Sequence, residues 1–484
     1  LKKNIQKFAV VIILIIATII YVAIPYKSKQ LNSASQEDLD HYIVSKMEEL
    51  RIPGMALGIV EGNEVFLKGY GYSSISASNE IITPKTPFLL GSTTKSITAM
   101  AIMQLYEEGL LDLDEKVVRY LPTFRFENQE ESNKITIRHL LNQTSGIAGS
   151  AGGSDYLDGS GTREEFITEL KDETLLVTPG STYQYAEANY VILGEVISVV
   201  AGQSYEDYIK EKIFIPLNMK NSCTNQEDAL KNGLAHGNIT WFGYPVKTDL
   251  PYPKKYASAS VVYSSVEDLT HYVSCYLSGG DYQNKEILSN KGIQEITRPA
   301  VELEHPEGYF YGMGWFVSNG FAIHDGRPTN YYSVILLNPE NNKGIILLAN
   351  ANNRLIVAEY LMPIVFEIMD TLDGIDTRTS GIGYRQLYKI LNALLAWIFI
   401  FCIGRIVSTL KNRTNKVKIS NFIIDGVLLL VITGLLVYLL RAYGVSLSIA
   451  YLGQPDIVFC MVSYIVLLVS NIVMKIVYAV KSLR

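Results

Sequence analysis

Cysteine is scarce in this chain: Cys223, Cys275, Cys402 and Cys460 are the full complement, far apart from one another. That excludes a disulfide scaffold, and the lack of any C-x-x-C or His-rich spacing leaves no structural metal site to expect. Cys223 and Cys275 either pair outside the cell or remain thiols. A basic excess is missing too, with 42 basic against 48 acidic residues and a net charge of −6, so nucleic acid finds no electrostatic footprint. Internal repeats are absent, and Gly149 to Gly161 is the one Gly/Ser-rich stretch, read as a surface loop. The overall hydrophobic fraction of 48% is ordinary, yet the mean hydropathy is positive. Apolar residues are therefore concentrated, and they sit at the two ends.

Phe8 to Ile24 is an uncharged apolar run preceded by Lys2, Lys3 and Lys7, which predicts an N-terminal anchor with its basic flank inside the cell. A cleaved signal peptide is the rival reading, disfavoured by the length of the run and by Pro25-Tyr26 after it. Three further spans are expected at about Leu387–Ser408, Phe422–Leu440 and Ile457–Val480. Lys411, Arg413, Lys416 and Lys418 lie between the first two, placing that loop in the cytoplasm and the C-terminus, with Lys481 and Arg484, inside as well. The expected division is thus an anchor or signal segment over residues 1–31, an extracytoplasmic domain over 32–379 and a membrane domain over 380–484. Lys389, Arg405, Asp425 and Lys475 are too few and too near the span ends to suggest a transport path, so anchoring or assembly with a membrane partner is the role expected of the spans.

Within the middle region, Met55–Val60 and Val65–Tyr72 read as a hairpin, and Met313–Asn350 as an antiparallel meander. Ser92–Glu108, stopped by Gly109, and Ala188–Val200 read as helices. Strands at both ends of a domain with helices between them predict an α+β architecture, an antiparallel sheet closed by its first and last segments.

Gly91-Ser92-Thr93-Thr94-Lys95 opens the first of those helices and sets Ser92 and Lys95 one turn apart on a shared face. A serine hydroxyl becomes a useful nucleophile when a neighbouring base takes its proton, and a helix start offers backbone N–H groups to a developing oxyanion. Alone, the spacing is weak, since Ser408 and Lys411 repeat it where it means nothing. An N-cap serine and a solvated lysine are the plain alternative.

Two more stretches change the weight. Pro179-Gly180-Ser181-Thr182-Tyr183-Gln184-Tyr185-Ala186-Glu187-Ala188-Asn189-Tyr190, followed by Val191-Ile192-Leu193-Gly194, resembles the Tyr-x-Asn motif of the serine beta-lactamase and penicillin-binding-protein superfamily, and His324-Asp325-Gly326 resembles its His-x-Gly variant of the third motif. Ile137 to Gly146, Ser264 to Leu269 and Tyr311-Gly312-Met313-Gly314-Trp315 add to the likeness, which spans about Glu37 to Asn352. The resemblance implies a beta-lactamase-like fold and acyl transfer without a cofactor. It makes Ser92 the nucleophile, Lys95 its proton partner, Tyr185 a sharer of the base role that protonates the leaving group, and His324 a residue of the opposite cleft wall. The amides of Ser92 and of Arg327, just after Gly326, would form the oxyanion hole.

Glu187 departs from the usual asparagine. A carboxylate there is expected to raise the Lys95 pKa and hold the lysine as a cation, leaving Tyr185 to take the serine proton. Asn142-Gln143 departs from a Thr-His pair without a mechanistic reading. Arg327 is a candidate grip for a substrate carboxylate. Asp325 is not expected to orient His324, because neighbours on a strand face opposite sides. The other histidines, His41, His139, His236, His271 and His305, share no spacing. The aromatics of Trp241–Tyr263 are expected either to wall the cleft or to pack a core. The sequence thus predicts a membrane-tethered serine hydrolase acting on peptides, D-peptides or esters. The alternative is a membrane receptor that binds or is acylated without turnover.

Overall fold

The expected hairpin forms from Gly54–Glu61 (β1) and Glu64–Gly71 (β2), turned at Gly62 with φ 60°. This comes from a computed structural model, which describes residues 2–24, 29–73, 80–152, 161–353, 356–375, 382–411, 419–442 and 447–481. The late meander supplies Val301–Glu302 (β3), Phe310–Tyr311 (β4), Phe316–Ser318 (β5), Phe321–Gly326 (β6), Tyr332–Asn338 (β7) and Lys343–Ala349 (β8). Together they make one eight-stranded antiparallel sheet in the order β2-β1-β8-β7-β6-β5-β4-β3. The first and last long strands lie side by side, with Met55 opposite Ala349 and Glu61 opposite Lys343.

Alternation along these strands feeds two cores. Ala56, Val60, Ile335, Leu337, Ile346 and Leu348 face a large helical layer, whereas Met55, Leu57, Ile59, Val334, Leu336, Ile345 and Leu347 face a smaller one. The smaller layer is built by the helices next to the two ends of the domain, Gln36–Leu50 and Val357–Leu372. Tyr384 and Tyr388, at the start of the next helix, complete it. The larger layer centres on helix Thr94–Glu107, whose residues from Thr94 to Leu105 are all buried, packed on helix Glu187–Ala201. Three of the described helices are long and apolar enough to cross a membrane, Tyr384–Lys411, Phe422–Arg441 and Pro455–Lys481.

Those helices begin within a few residues of the expected spans, and between the last two lies a short helix, Leu447–Gly453. The basic loop residues Arg413, Lys416 and Lys418 fall outside the described residues, as does most of the Gly149–Gly161 stretch. The N-terminal helix Lys2–Ala23 runs antiparallel to the first of the three: Trp397 Nε1 donates to Thr18 Oγ1 at 3.1 Å, and Lys389 Nζ to the Ile24 carbonyl at 2.6 Å. Charges that looked scattered in sequence converge. Asp425, fully buried on the second span, accepts from Arg405 Nε of the first at 2.8 Å, from Asn471 of the third at 2.7 Å, and from Lys475. A lone carboxylate in an apolar bundle is costly, so this one is neutralised from both neighbouring spans.

Candidate active site

The nucleophile turn is held by close backbone approach. Gly91 has φ 59°, and a Cβ there would stand 2.5 Å from Pro328 Cδ and 3.3 Å from the Arg327 amide nitrogen. At Gly326 a Cβ would come within 1.8 Å of the Leu90 carbonyl oxygen. Glycine at both positions lets the end of β6 press against the start of the serine helix. The Ser333 hydroxyl, on β7, donates to the Leu90 carbonyl at 2.5 Å and meets Thr93 Oγ1 at 2.6 Å, locking the turn to the sheet. Ser92 itself lies in a 3-10 turn, Gly91–Thr93, which runs directly into helix Thr94–Glu107.

Three of the sequence-predicted residues meet around the carboxylate of a fourth. Ser92 Oγ donates to Glu187 Oε1 at 3.3 Å, and Tyr185 Oη donates to the same oxygen at 3.3 Å. Lys95 Nζ donates to Glu187 Oε2 at 2.8 Å, to Ser92 Oγ at 3.2 Å and to the Ala259 carbonyl at 3.0 Å. With the serine proton turned toward Glu187, three acceptors surround three ammonium protons, which suits a charged lysine. The ammonium also lies 4.9 Å from the centre of the Tyr185 ring and 5.6 Å from that of Tyr190.

One expectation about this cluster changes. Lys95 was expected to have a raised pKa; its pKa is instead lowered, because complete burial outweighs the opposing pull of Glu187. Ser92, read from sequence as passing its proton to Tyr185, has a hydrogen bond to the Glu187 carboxylate oxygen that Tyr185 also meets. Gln143, given no role from sequence, holds the segment that carries both residues: its carbonyl accepts from the Gln184 amide at 2.7 Å and its Oε1 from the Ala186 amide at 2.9 Å.

His324 stands apart from the four. It is 1% exposed, packed on Phe316 and Tyr311, so it belongs to the buried floor rather than the half-buried strand surface. Its Nδ1 donates to the Asp325 carbonyl at 2.7 Å, leaving Nε2 to accept from Tyr311 Oη at 3.4 Å. Burial, then the charge of Lys95, pushes its pKa down to about 3, so the ring is neutral at any physiological pH. The Asp325 carboxylate does not orient this ring, as the strand alternation required; it pairs with Arg327 Nε at 2.5 Å. Arg327 Nη1 meets Glu359 at 2.6 Å. The guanidinium expected to grip a substrate carboxylate is thus held by two carboxylates of its own chain.

Sequence reasoning missed Ala259, whose contribution is a backbone carbonyl, and Tyr183, whose ring lies 5.5 Å from that of Tyr311 beside the site. Several aromatics of Trp241–Tyr263 pack against other parts of the chain. Trp241 packs on Tyr451 of the short helix Leu447–Gly453 and on Phe459 of the third long apolar helix, Tyr256 on Phe166, and Tyr252 donates to Asn330. Cys223 and Cys275 are free thiols, and burial raises the pKa of each to about 12. Among the described residues no group of His, Cys, Asp and Glu could hold a metal ion.

Known proteins are similar to this chain in sequence and fold. The profile of the Beta-lactamase family matches residues 39–361. Protein flp of Staphylococcus aureus (strain MW2) is 30% identical over 381 residues, covering 77% of this chain and 74% of that protein. Among solved structures, the octameric penicillin-binding protein homologue from Pyrococcus abyssi is 31% identical, with a TM-score of 0.59 over 68% of this chain and 77% of that one. The class C beta lactamase from Rhodobacter sphaeroides, at 19% identity, shares the fold with a TM-score of 0.59 over 69% of this chain and 99% of its own.

Proposed function

Because the chain belongs to the Beta-lactamase family, within the serine beta-lactamase and penicillin-binding-protein superfamily, we propose that it is a membrane-held serine hydrolase whose Ser92 is acylated by a peptide, D-peptide or ester facing the cell exterior. One observation carries this reading: a single carboxylate oxygen of Glu187 accepts from both Ser92 and Tyr185 while Lys95 bonds the same serine.

The proposed steps follow from those contacts. Ser92 Oγ attacks the acyl carbonyl as its proton moves to Glu187 Oε1, and the Lys95 ammonium stabilises the developing alkoxide. The carbonyl oxygen collects negative charge between the amides of Ser92 and Arg327. The bond to the leaving group then breaks, and Tyr185 hands that group a proton, replaced from Glu187 through their shared hydrogen bond. Water attacks the ester, giving its proton to Glu187, and Ser92 recovers it as the acid leaves. Neutral His324, through Tyr311, supports the floor without exchanging a proton.

The same geometry would serve a receptor that is acylated and stays so, so turnover is the deciding measurement. A fluorescent phosphonate is expected to label the full-length protein once, Ser92→Ala is expected to remain unlabelled with its fold intact, and the wild type should release many equivalents of product from an ester. Labelling without multiple turnover on a panel of esters and D-alanyl peptides would favour the receptor. Labelling that survives in Ser92→Ala would refute both.

A further inference from the structure

Residues 327–331 connect β6 to β7 and lean on the nucleophile turn through the contact of Pro328 with Gly91. Three of their groups are fastened from outside the main sheet. The Pro328 carbonyl accepts from Asn352 Nδ2 at 2.8 Å, the Asn330 carbonyl from the Asn238 amide at 3.1 Å, and the Arg327 guanidinium meets Glu359.

Followed outward, these ties lead to the membrane helices. Asn238 begins a small hairpin, Asn238–Trp241 paired with Tyr244–Lys247. At its tip the Phe242 amide donates to Asp456 Oδ2 at 3.0 Å, where the third span begins, and the Phe242 carbonyl accepts from Asn392 of the first span at 3.1 Å. Gly243 lies so close to Tyr388 that a Cβ would stand 2.8 Å from the ring. The second route also ends on Tyr388. Its hydroxyl accepts from Asn353 Nδ2 at 2.6 Å, and Asn353, next to Asn352, uses Oδ1 to bond the amides of Ile356 and Val357 at 2.8 Å. Those amides open the helix that carries Glu359. Tyr388 is 2% exposed and Asn330, Asn352 and Asn353 no more than 1%, so water does not compete for these bonds.

We infer that Tyr388, in the first membrane helix, is a positioning residue for the reaction: through Asn353 and the Trp241–Gly243 hairpin tip it holds the 327–330 backbone, and with it the amide aimed at the reacting carbonyl. The inference rests on the serine-hydrolase reading above. It gives the membrane helices a part in catalysis beyond anchoring, since a shift of the first span against the third moves an oxyanion donor.

The test uses the full-length protein in lipid nanodiscs and pre-steady-state release from a chromogenic ester, in which burst amplitude counts competent sites separately from their rates. Tyr388→Phe and Asp456→Ala are expected to lower acylation and deacylation per site by the same factor, about tenfold, because a misplaced oxyanion donor weakens both transition states. KM should move less than about twofold and the pH profile should stay put, being set elsewhere. Asp456→Asn keeps an acceptor for the Phe242 amide and should restore the rates; Phe399→Ala, elsewhere on the first span, should match the wild type. A smaller burst with unchanged rate constants would make Tyr388 a folding residue only and overturn the inference, as would variants indistinguishable from wild type. A wild-type protein that forms no acyl-enzyme would overturn the hydrolase reading and this inference together; a normal wild-type burst with unaffected variants overturns this inference alone.

Discussion

Replacing Glu187 by glutamine removes one charge and keeps the shape, so it isolates what the carboxylate contributes. Two hydroxyls lose their shared anionic acceptor, and the fully buried Lys95 loses its counter-charge. For the chemistry, a positioned base contributes about 10²–10⁴-fold, or ~3–5 kcal/mol of barrier, so acylation in Glu187→Gln should fall by at least about 10²-fold. For the lysine, burial already lowers its pKa against the pull of Glu187; without that pull the pKa falls further. The sign of the stability effect follows. A lysine whose folded pKa lies below its unfolded value binds its proton less tightly when folded, so stability rises with pH between the two values. That window widens downward in the variant, which should melt at a lower temperature than the wild type at neutral pH and recover on mild alkalinisation. If the ammonium is the active form, the basic limb of the acylation profile also moves to lower pH. Stopped-flow acylation with a phosphonate or activated ester from pH 5 to 10, with melting curves on the same samples, measures all three. A Glu187→Gln protein that acylates within threefold of wild type, with its basic limb unmoved, would refute the assignment of Glu187 as proton acceptor.

Gly326→Ala sets a methyl against the Leu90 carbonyl at a built distance of 1.8 Å, so β6 must draw back from the nucleophile turn. A displacement near 1 Å there should cost roughly 10²-fold in acylation per titrated site, and a variant with wild-type rates would show that the contact is not required. Substrate charge gives a third expectation. Lys95 is matched by Glu187, Arg327 by both Asp325 and Glu359, and His324 is neutral, so none of these groups offers a substrate carboxylate an uncompensated cation. A substrate ending in a free acid should therefore gain no more than about twofold in kcat/KM over its carboxamide, less than the ~1 kcal/mol of one opposite charge in a partly exposed cleft. A stronger preference for the acid would show that Arg327 leaves its partners to bind substrate.

The features legible in the sequence were those with a local signature. Alternation marked β1, β2 and the meander, Gly109 marked a helix end, and uninterrupted apolar runs marked the three spans. Ser92, Lys95, Tyr185 and Glu187 were found as motif residues, and they do converge. Depth and long-range pairing were not legible. Sequence shows that a carboxylate lies near Lys95 but not that the lysine is sealed from water, so the direction of its pKa came out wrong. Arg327 appeared available because Glu359 is 32 residues further along the chain. Tyr183 and Tyr311 are two among 32 tyrosines, and the Ala259 carbonyl has no residue type to betray it. The sequence left open whether Trp241 walls a cleft or packs a core, because the surface it meets, Tyr451 and Phe459, lies some two hundred residues away.

The adjacency of β1 and β8, with the helices beside them on one side of the sheet, brings the two ends of the domain together beside the long apolar helices. There Lys389 clasps the carbonyl of Ile24. A globule leashed by one flexible tail sweeps a hemisphere and meets substrates at any angle. One moored by two lines at a single point keeps its altitude and its heading. In the proposed membrane-held hydrolase, such a mooring would keep the mouth of the cleft at one height and bearing relative to the lipid surface, and would restrict its substrates to those whose scissile bond is presented in that layer.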